Sequence, residues 1–215
     1  MARSFSSQKN LLERQCVMVL SIEKGTKAYG NQVLFQDFSC ELDFMKHPIY
    51  RITGESGKGK TSLLRILSSL ETLDSGTFSI VMGEAARGGN RLRASWMFQE
   101  NRLLENLSAV ENLSFIPSRY TVSEIVHFFE QLLSGENIEK RVSEFSGGMK
   151  RRLAFLRAMI ADFEILFLDE PFTGIDEENR LKMEHFFLEH IGRRPMIFAS
   201  HEEPLLWKNY GRIEL

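Results

Sequence analysis

Three short stretches of the 215-residue chain combine residue types and spacings suited to phosphate chemistry. The first, GESGKGKT from Gly54 to Thr61, fits G-x-x-x-x-G-K-[ST]. It follows the apolar run PIYRIT and leads directly into SLLRILSSL, which has helical spacing. Strand, glycine loop and helix in that order make an anion cradle. The glycines permit turns that aim backbone N–H groups inward, and the helix N-terminus adds positive potential. The predicted cradle comprises Gly54, Glu55, Ser56, Gly57, Lys58, Gly59, Lys60, Thr61 and Ser62. Lys60 is placed to neutralise β- and γ-phosphates and the Thr61 hydroxyl to ligate Mg²⁺, whereas the Lys58 ammonium reads as facing solvent.

The second stretch, EILFLDEP, ends an apolar strand with Asp169 and Glu170. Open α/β sheets bind their ligands at such carboxyl ends. Asp169 can hold Mg²⁺ directly or through water, because the ion favours carboxylates and keeps several waters. Glu170 points elsewhere and can orient or deprotonate an attacking water. Alone, two acids before a proline turn are as often structural; beside a phosphate loop the catalytic reading prevails.

The third stretch, FSGGMKRRLAFLRAMI, reads as a helix capped by Ser146, with Gly147 and Gly148 leaving N–H groups unshielded. Lys150, Arg151 and Arg152 then crowd the first turn, where cations cost about 0.3–1 kcal/mol each. A solvated basic face and a docking site for a polyanion are both compatible with that pattern.

The elements that must position these groups alternate short apolar runs with helical stretches, which predicts an α/β layered architecture. Expected strands are Cys16 to Lys24, Val33 to Leu42, Pro48 to Thr53, TFSIVM, ASWMF, EILFLD and PMIFAS. The last two are continuously apolar, as in strands buried on both faces of a parallel sheet. RGGNRLR, between TFSIVM and ASWMF, predicts a hairpin loop turned at Gly88 and Gly89. Capping boxes at Ser108–Glu111 and Thr121–Glu124 open two helices, placing a helical subdomain at about residues 100–160.

Composition fits a globular protein: 43% hydrophobic and 26% charged, which excludes collagen-like, low-complexity and largely disordered chains. A net charge of −2 lacks the basic excess of a dedicated nucleic-acid binder. The two cysteines, Cys16 and Cys40, form no CxxC or secreted framework and suit a reducing compartment. No run approaches the roughly 20 apolar residues a membrane span needs. Residues 1–15 read as a flexible tail before one domain, 16–215.

Taken in order, these motifs resemble those of the ATP-binding cassette (ABC) ATPases. The resemblance runs from about Cys16 to the end: Tyr29 in KAYG, GESGKGKT, Gln99 in MFQE, FSGGMKRR, LFLDEP, GID ending at Asp176, and His201 in FASHEE. It implies a P-loop NTPase core of mostly parallel sheet, with an antiparallel β subdomain and the helical subdomain. It further implies Tyr29 stacking on adenine, Gln99 sensing Mg²⁺ and the membrane partner, Glu170 as base, and His201 contacting the γ-phosphate. Ser146, Gly147, Gly148 and Asp176 would act across a dimer that sandwiches ATP. FQENRLLENLSAVENL is similar to cassettes of nitrate, sulfonate, taurine and thiamine-precursor importers, and in part to those of lipoprotein-release and cell-division complexes.

The resemblance therefore implies an ATPase subunit on the cytoplasmic face of the membrane. Its cofactors would be ATP and Mg²⁺. Its partners would be a second cassette, a permease docking near Gln99 and a solute-binding protein, with no nucleic acid expected. The rivals are a cassette of DNA maintenance or translation, and a module that binds ATP without hydrolysis. The sequence departs from the family pattern at Met149, where glutamine usually follows SGG, and at KHP, which lacks a Pro-Gly turn.

Overall fold

The computed structural model describes residues 18–83 and 92–215. The expected tail, Cys16, and the Gly88–Gly89 turn lie outside the described residues. β1 (Met18–Tyr29), β2 (Gln32–Asp43) and β4 (Ser75–Met82) form an antiparallel sheet in the order β2-β1-β4. β3 (Ile49–Thr53), β5 (Ala94–Met97), β6 (Ile165–Asp169), β7 (Met196–Ala199) and β8 (Gly211–Glu214) form a parallel sheet ordered β5-β6-β7-β3-β8. The helices are α1 (Lys60–Leu67), α2 (Ala109–Ser114), α3 (Val122–Leu132), α4 (Gly147–Ile160) and α5 (Glu177–His190).

β6 and β7 are buried at every position, as their unbroken apolar runs require. Their alternating side chains divide the interior. Ile165, Phe167, Ile197 and Ala199 face α1 and the antiparallel sheet, in one apolar cluster with Leu20, Leu63 and Ile66. Leu166, Leu168, Met196 and Phe198 face the other way, in a cluster with Phe129, Leu153, Phe155 and Phe187 from the helices. Burying each such side chain contributes roughly 1.5–3 kcal/mol. The parallel sheet is thus a partition with a helix N-terminus on each side, α1 on one and α4 on the other.

The helical subdomain begins as its capping signals predict. Ser108 and Thr121 each accept from the N–H three residues on, and Glu111 and Glu124 reach back to complete both boxes. α3 turns Ile125, Phe128, Phe129 and Leu132 inward, and Phe128 meets Phe186 of α5 edge-on at 5.3 Å. Asp176 caps α5 by accepting from the Asn179 N–H at 2.9 Å.

One expectation fails, and one strand was missed. The predicted hairpin between TFSIVM and ASWMF does not form, because β4 pairs with β1 and β5 pairs with β6 in different sheets. β5 is needed at the parallel edge, where Arg93, just before it, bonds Asp162 and, through its N–H, Glu164 at 3.0 Å. The Arg93 guanidinium is therefore an edge clamp. β8 was not anticipated: its GRIE alternates buried and exposed residues and carries two charges. Gly211 lets it lie beside β3, since a Cβ there would stand 2.3 Å from the Tyr50 ring.

Candidate functional site

The loop from Gly54 to Gly59 joins β3 to α1. Gly59 is the N-cap of α1 in the left-handed region, φ 95°, and makes no side-chain cap. Only glycine suits it, since an added Cβ would also press on Leu34 at 3.0 Å. The first N–H groups of α1 are left for an outside acceptor. A cleft of about 580 Å³ opens over this end, lined among others by Tyr29, Ser56, Gly57, Lys60, Thr61, Ser62, Gln99, Glu170 and His201.

Lys60 is buried to 8% exposure, and its ammonium donates to the Gly54 and Glu55 carbonyls at 3.0 Å each. It also stands 3.2 Å from Nε2 of His201. An ammonium held inside the loop and facing the cleft has the charge and reach to meet a phosphate there. On the other wall, Thr61 donates its hydroxyl to Asp169 at 2.8 Å. Burial pushes the Asp169 carboxyl up from its ordinary value, with the Thr61 bond opposing that shift. No cluster of three His, Cys, Asp or Glu that could cage a metal occurs among the described residues. One hydroxyl and one carboxylate instead suit Mg²⁺, which binds few protein groups and completes its shell with water and phosphate.

Glu170 follows β6 in the left-handed region, φ 49°. A non-glycine there costs about 1–3 kcal/mol and is typical of functional corners. Its N–H is bonded to the Ala199 carbonyl at 2.8 Å, and its carboxylate lies 3.5 Å from His201 Nε2 while accepting the His201 N–H at 3.3 Å. His201 rides on a segment gripped from behind. Arg51, in mid-strand of β3 and only 4% exposed, donates to the Ser200 carbonyl at 3.1 Å and pairs with Glu203; Arg180 pairs with Glu202. The Glu170 carboxylate and the His201 imidazole therefore meet across the end of the sheet, close to Lys60.

Tyr29 ends β1, is 47% exposed and lines the cleft, and its hydroxyl bonds Glu71 and lies 3.3 Å from Ser62. Gln99 is exposed at the rim. Glu55 and Lys58 pair with each other outside the cleft lining, so the Lys58 ammonium faces solvent as expected.

Ser146, Gly147, Gly148 and Asp176 are not at this cleft. Ser146 caps α4, accepting the Met149 N–H at 3.2 Å, and both Ser146 and Gly147 are exposed. Gly148 backs onto the Gly174–Ile175 turn beside Asp176. Met149 packs on the helical core, which accounts for an apolar residue in the place of glutamine.

The first-turn cations require a correction: two of the three do not face solution. Arg151 is 4% exposed and bonded to backbone carbonyls. Arg152 donates to the Leu132 carbonyl and to Asn179 at 2.8 Å. Lys150 pairs with Glu105 at 2.9 Å. Sequence reasoning placed Arg151 on an outward face, although it shares a helix stripe with buried Phe155 and Ala158, where a charge is unexpected. Leu34 and Thr173 also line the cleft without a motif to mark them, and Ser200 does so beside His201.

The sequence profile of the family described as "ABC transporter" matches residues 38–173, more than half of the chain. The chain belongs to that family. It is 30% identical to the sulfate/thiosulfate import ATP-binding protein CysA of Bacillus cereus, over 92% of this chain and 60% of that protein. The aliphatic sulfonates import ATP-binding protein SsuB 2 of Burkholderia lata is 30% identical over 86% of this chain and 67% of its own length. This ABC chain spans about three-fifths of the length of the sulfate/thiosulfate relatives it matches. Among solved structures, a putative ABC transporter ATP-binding protein from Pyrococcus furiosus superposes with a TM-score of 0.74 at 21% identity, covering 92% of this chain and 97% of that one. The ATP-binding cassette MJ0796, solved as a dimer with ADP and phosphate, gives 0.68 at 18% identity, over 85% and 88%. Both share the fold. Among the described residues no helix is long and apolar enough to cross a membrane.

Proposed function

We propose that this chain is the ATP-hydrolysing subunit of an ABC importer, acting on the cytoplasmic face of a membrane beside a separate permease. The single observation that carries the reading is the convergence of Lys60, the Thr61–Asp169 pair, Glu170 and His201 on one cleft at the end of a parallel sheet. ATP enters with its triphosphate over the α1 N-terminus and its base against Tyr29. Lys60 exchanges its two loop carbonyls for β- and γ-phosphate oxygens. Mg²⁺ bound with the nucleotide would neutralise charge on those oxygens, and Thr61, Asp169 and Gln99 are the residues that would hold it.

Glu170 takes a proton from the attacking water, and His201 contacts the γ-phosphate from beside it. The bent backbone at Glu170, fixed by the Ala199 carbonyl, turns its carboxylate toward the cleft while Asp169 stays with Thr61. The Ser146 end of α4 takes the nucleotide of a second cassette, so two chains close over two ATP molecules and part after hydrolysis. The exposure of Ser146 and Gly147 supports this pairing, and the MJ0796 dimer is a precedent of the same fold. Import is favoured because CysA and SsuB relatives are named for import. A solute-binding protein belongs to the same reading.

The test is phosphate release by the purified chain with Mg²⁺-ATP, set against Glu170→Gln. The variant should bind nucleotide and turn over about 10²- to 10⁴-fold more slowly. Near-equal turnover would move the base elsewhere. A wild-type chain that binds ATP without releasing phosphate would favour the non-hydrolysing module.

A further inference from the structure

Among the described residues, Arg151 is the most heavily bonded buried cation that no step above uses. It sits on the second turn of α4, and its guanidinium lies in the gap between two other segments. One edge addresses the Gln99 segment: Nη1 donates to the carbonyls of Phe98 and Gln99 at 2.8 Å each and lies 3.2 Å from Oδ1 of Asn101. The other edge addresses the corner after β6. Nη2 donates to the carbonyls of Asp169, at 2.8 Å, and Glu170, and Nε reaches the Pro171 carbonyl at 3.3 Å. Five N–H donors in a rigid plane therefore join two loops that no β5–β6 pairing holds together beyond Met97 and Leu168.

Every one of these partners is a neutral oxygen, so the arrangement is not an ion pair made for charge balance. Its charge is countered at longer range by the carboxylates of Asp169 and Glu170. Burial lowers the guanidinium to about 10, which still leaves it charged at neutral pH. Arg157, further along α4, donates to the Asn101 carbonyl at 3.1 Å, so it anchors the Gln99 segment to the helix but makes no bond to the β6 corner. Only Arg151, among the described residues, spans both.

We propose that Arg151 is a positioning residue that makes the Gln99 segment and the Asp169–Glu170 corner move as one body, so that displacement of the first is felt at the base. This deepens the function proposed above and rests on it for the role of Glu170. Since α4 also carries Ser146, the same joint ties the helix end that receives a partner's nucleotide to the base of this chain's own site. Lysine cannot substitute: a tetrahedral ammonium keeps the charge but offers its three donors from one point, and cannot face both loops.

The experiment compares Arg151→Lys and Arg151→Gln with the parent chain by steady-state ATP hydrolysis and by amide hydrogen exchange with and without Mg²⁺-ATP. In the parent chain, residues 98–101 and 169–173 should gain protection together when nucleotide binds. In both variants kcat should fall at least tenfold with KM changed less than threefold. Residues 54–61 should keep their nucleotide-induced protection, while that of residues 98–101 drops at least threefold. Unchanged kcat together with paired protection in Arg151→Lys would overturn the proposal. So would a joint loss of kcat, KM and protection at residues 54–61, the mark of a general structural defect. If the parent chain fails to release phosphate but the exchange pattern is as described, the joint stands and the hydrolytic reading falls.

Discussion

Two helix N-termini face outward on opposite sides of the same parallel sheet, and they are finished to different degrees. The α1 end has no side-chain cap, but Lys60, Thr61 and Asp169 stand around it with their bonds already made within the chain. The α4 end has its cap in Ser146, and of the two glycines beyond it Gly147 faces open space, a Cβ there meeting nothing within 4 Å, while Gly148 backs onto the Gly174–Ile175 turn. A site that carries its own lysine and carboxylates can anchor a phosphate without help from a second chain. One made only of a cap and bare N–H groups can hold an anion weakly, and needs a ligand already anchored elsewhere. The contrast is why one end is read as acting in cis and the other as acting on a second chain.

The strongest way to break this comparison is to disable the finished end. Lys60→Ala removes the charged donor, and hydrogen bonds to charged groups are worth about 1.5–3 kcal/mol. Nucleotide affinity, measured by titration calorimetry, should fall about 10- to 150-fold. Unchanged affinity would mean that the α1 end is not where the triphosphate sits. Ser146→Arg should do the opposite: affinity for one nucleotide stays, while ATP-driven pairing of Glu170→Gln chains is lost in gel filtration. The added side chain projects from an exposed position, so the chain should still fold. If pairing survived, the two ends would not be complementary halves.

A smaller effect sharpens the base end of the cleft. Stacking of a base on an aromatic ring contributes roughly 1–3 kcal/mol, so Tyr29→Ala should weaken ATP binding about 5- to 150-fold. Tyr29→Phe keeps the ring and loses only the hydroxyl anchor on Glu71 and Ser62. It should bind within a few-fold of the parent. Equal losses in the two variants would assign the effect to the anchor rather than to the ring.

The finished end was legible in the sequence because its chemistry is local: GESGKGKT specifies strand, loop and helix within one stretch, and DE ends an unbroken apolar strand. Both capping boxes were legible for the same reason. What escaped depends on contacts far apart in the chain. Arg151 looked like one of three surface cations, and only the fold brings Phe98 and Asp169 to either side of it. The hairpin expected after β4 failed because turn chemistry cannot say which of two sheets a strand will join. β8 is held by a backbone approach at Gly211 that no periodicity encodes.

Asp176 gives the smallest and most discriminating test, since it stands beside the open end and has two possible employments. Within the chain it caps α5 through the Asn179 N–H, and that bond, with a second from the Asn179 amide, holds its carboxyl below the usual range. A carboxyl lowered on folding stabilises fully above its unfolded value, about 3.9, and loses that contribution as pH falls through the folded value. Asparagine caps about as well as aspartate and does so at every pH. Urea melts of Asp176→Asn should therefore nearly match the parent at pH 7, and any advantage of the parent should begin to fade below about pH 4 and be gone once the pH is below the folded value. If that is all Asp176 does, pairing under ATP in the Glu170→Gln background will be unchanged. If pairing weakens while the melts agree, the charge itself is used across the interface, and the open end consists of more than a cap and two glycines.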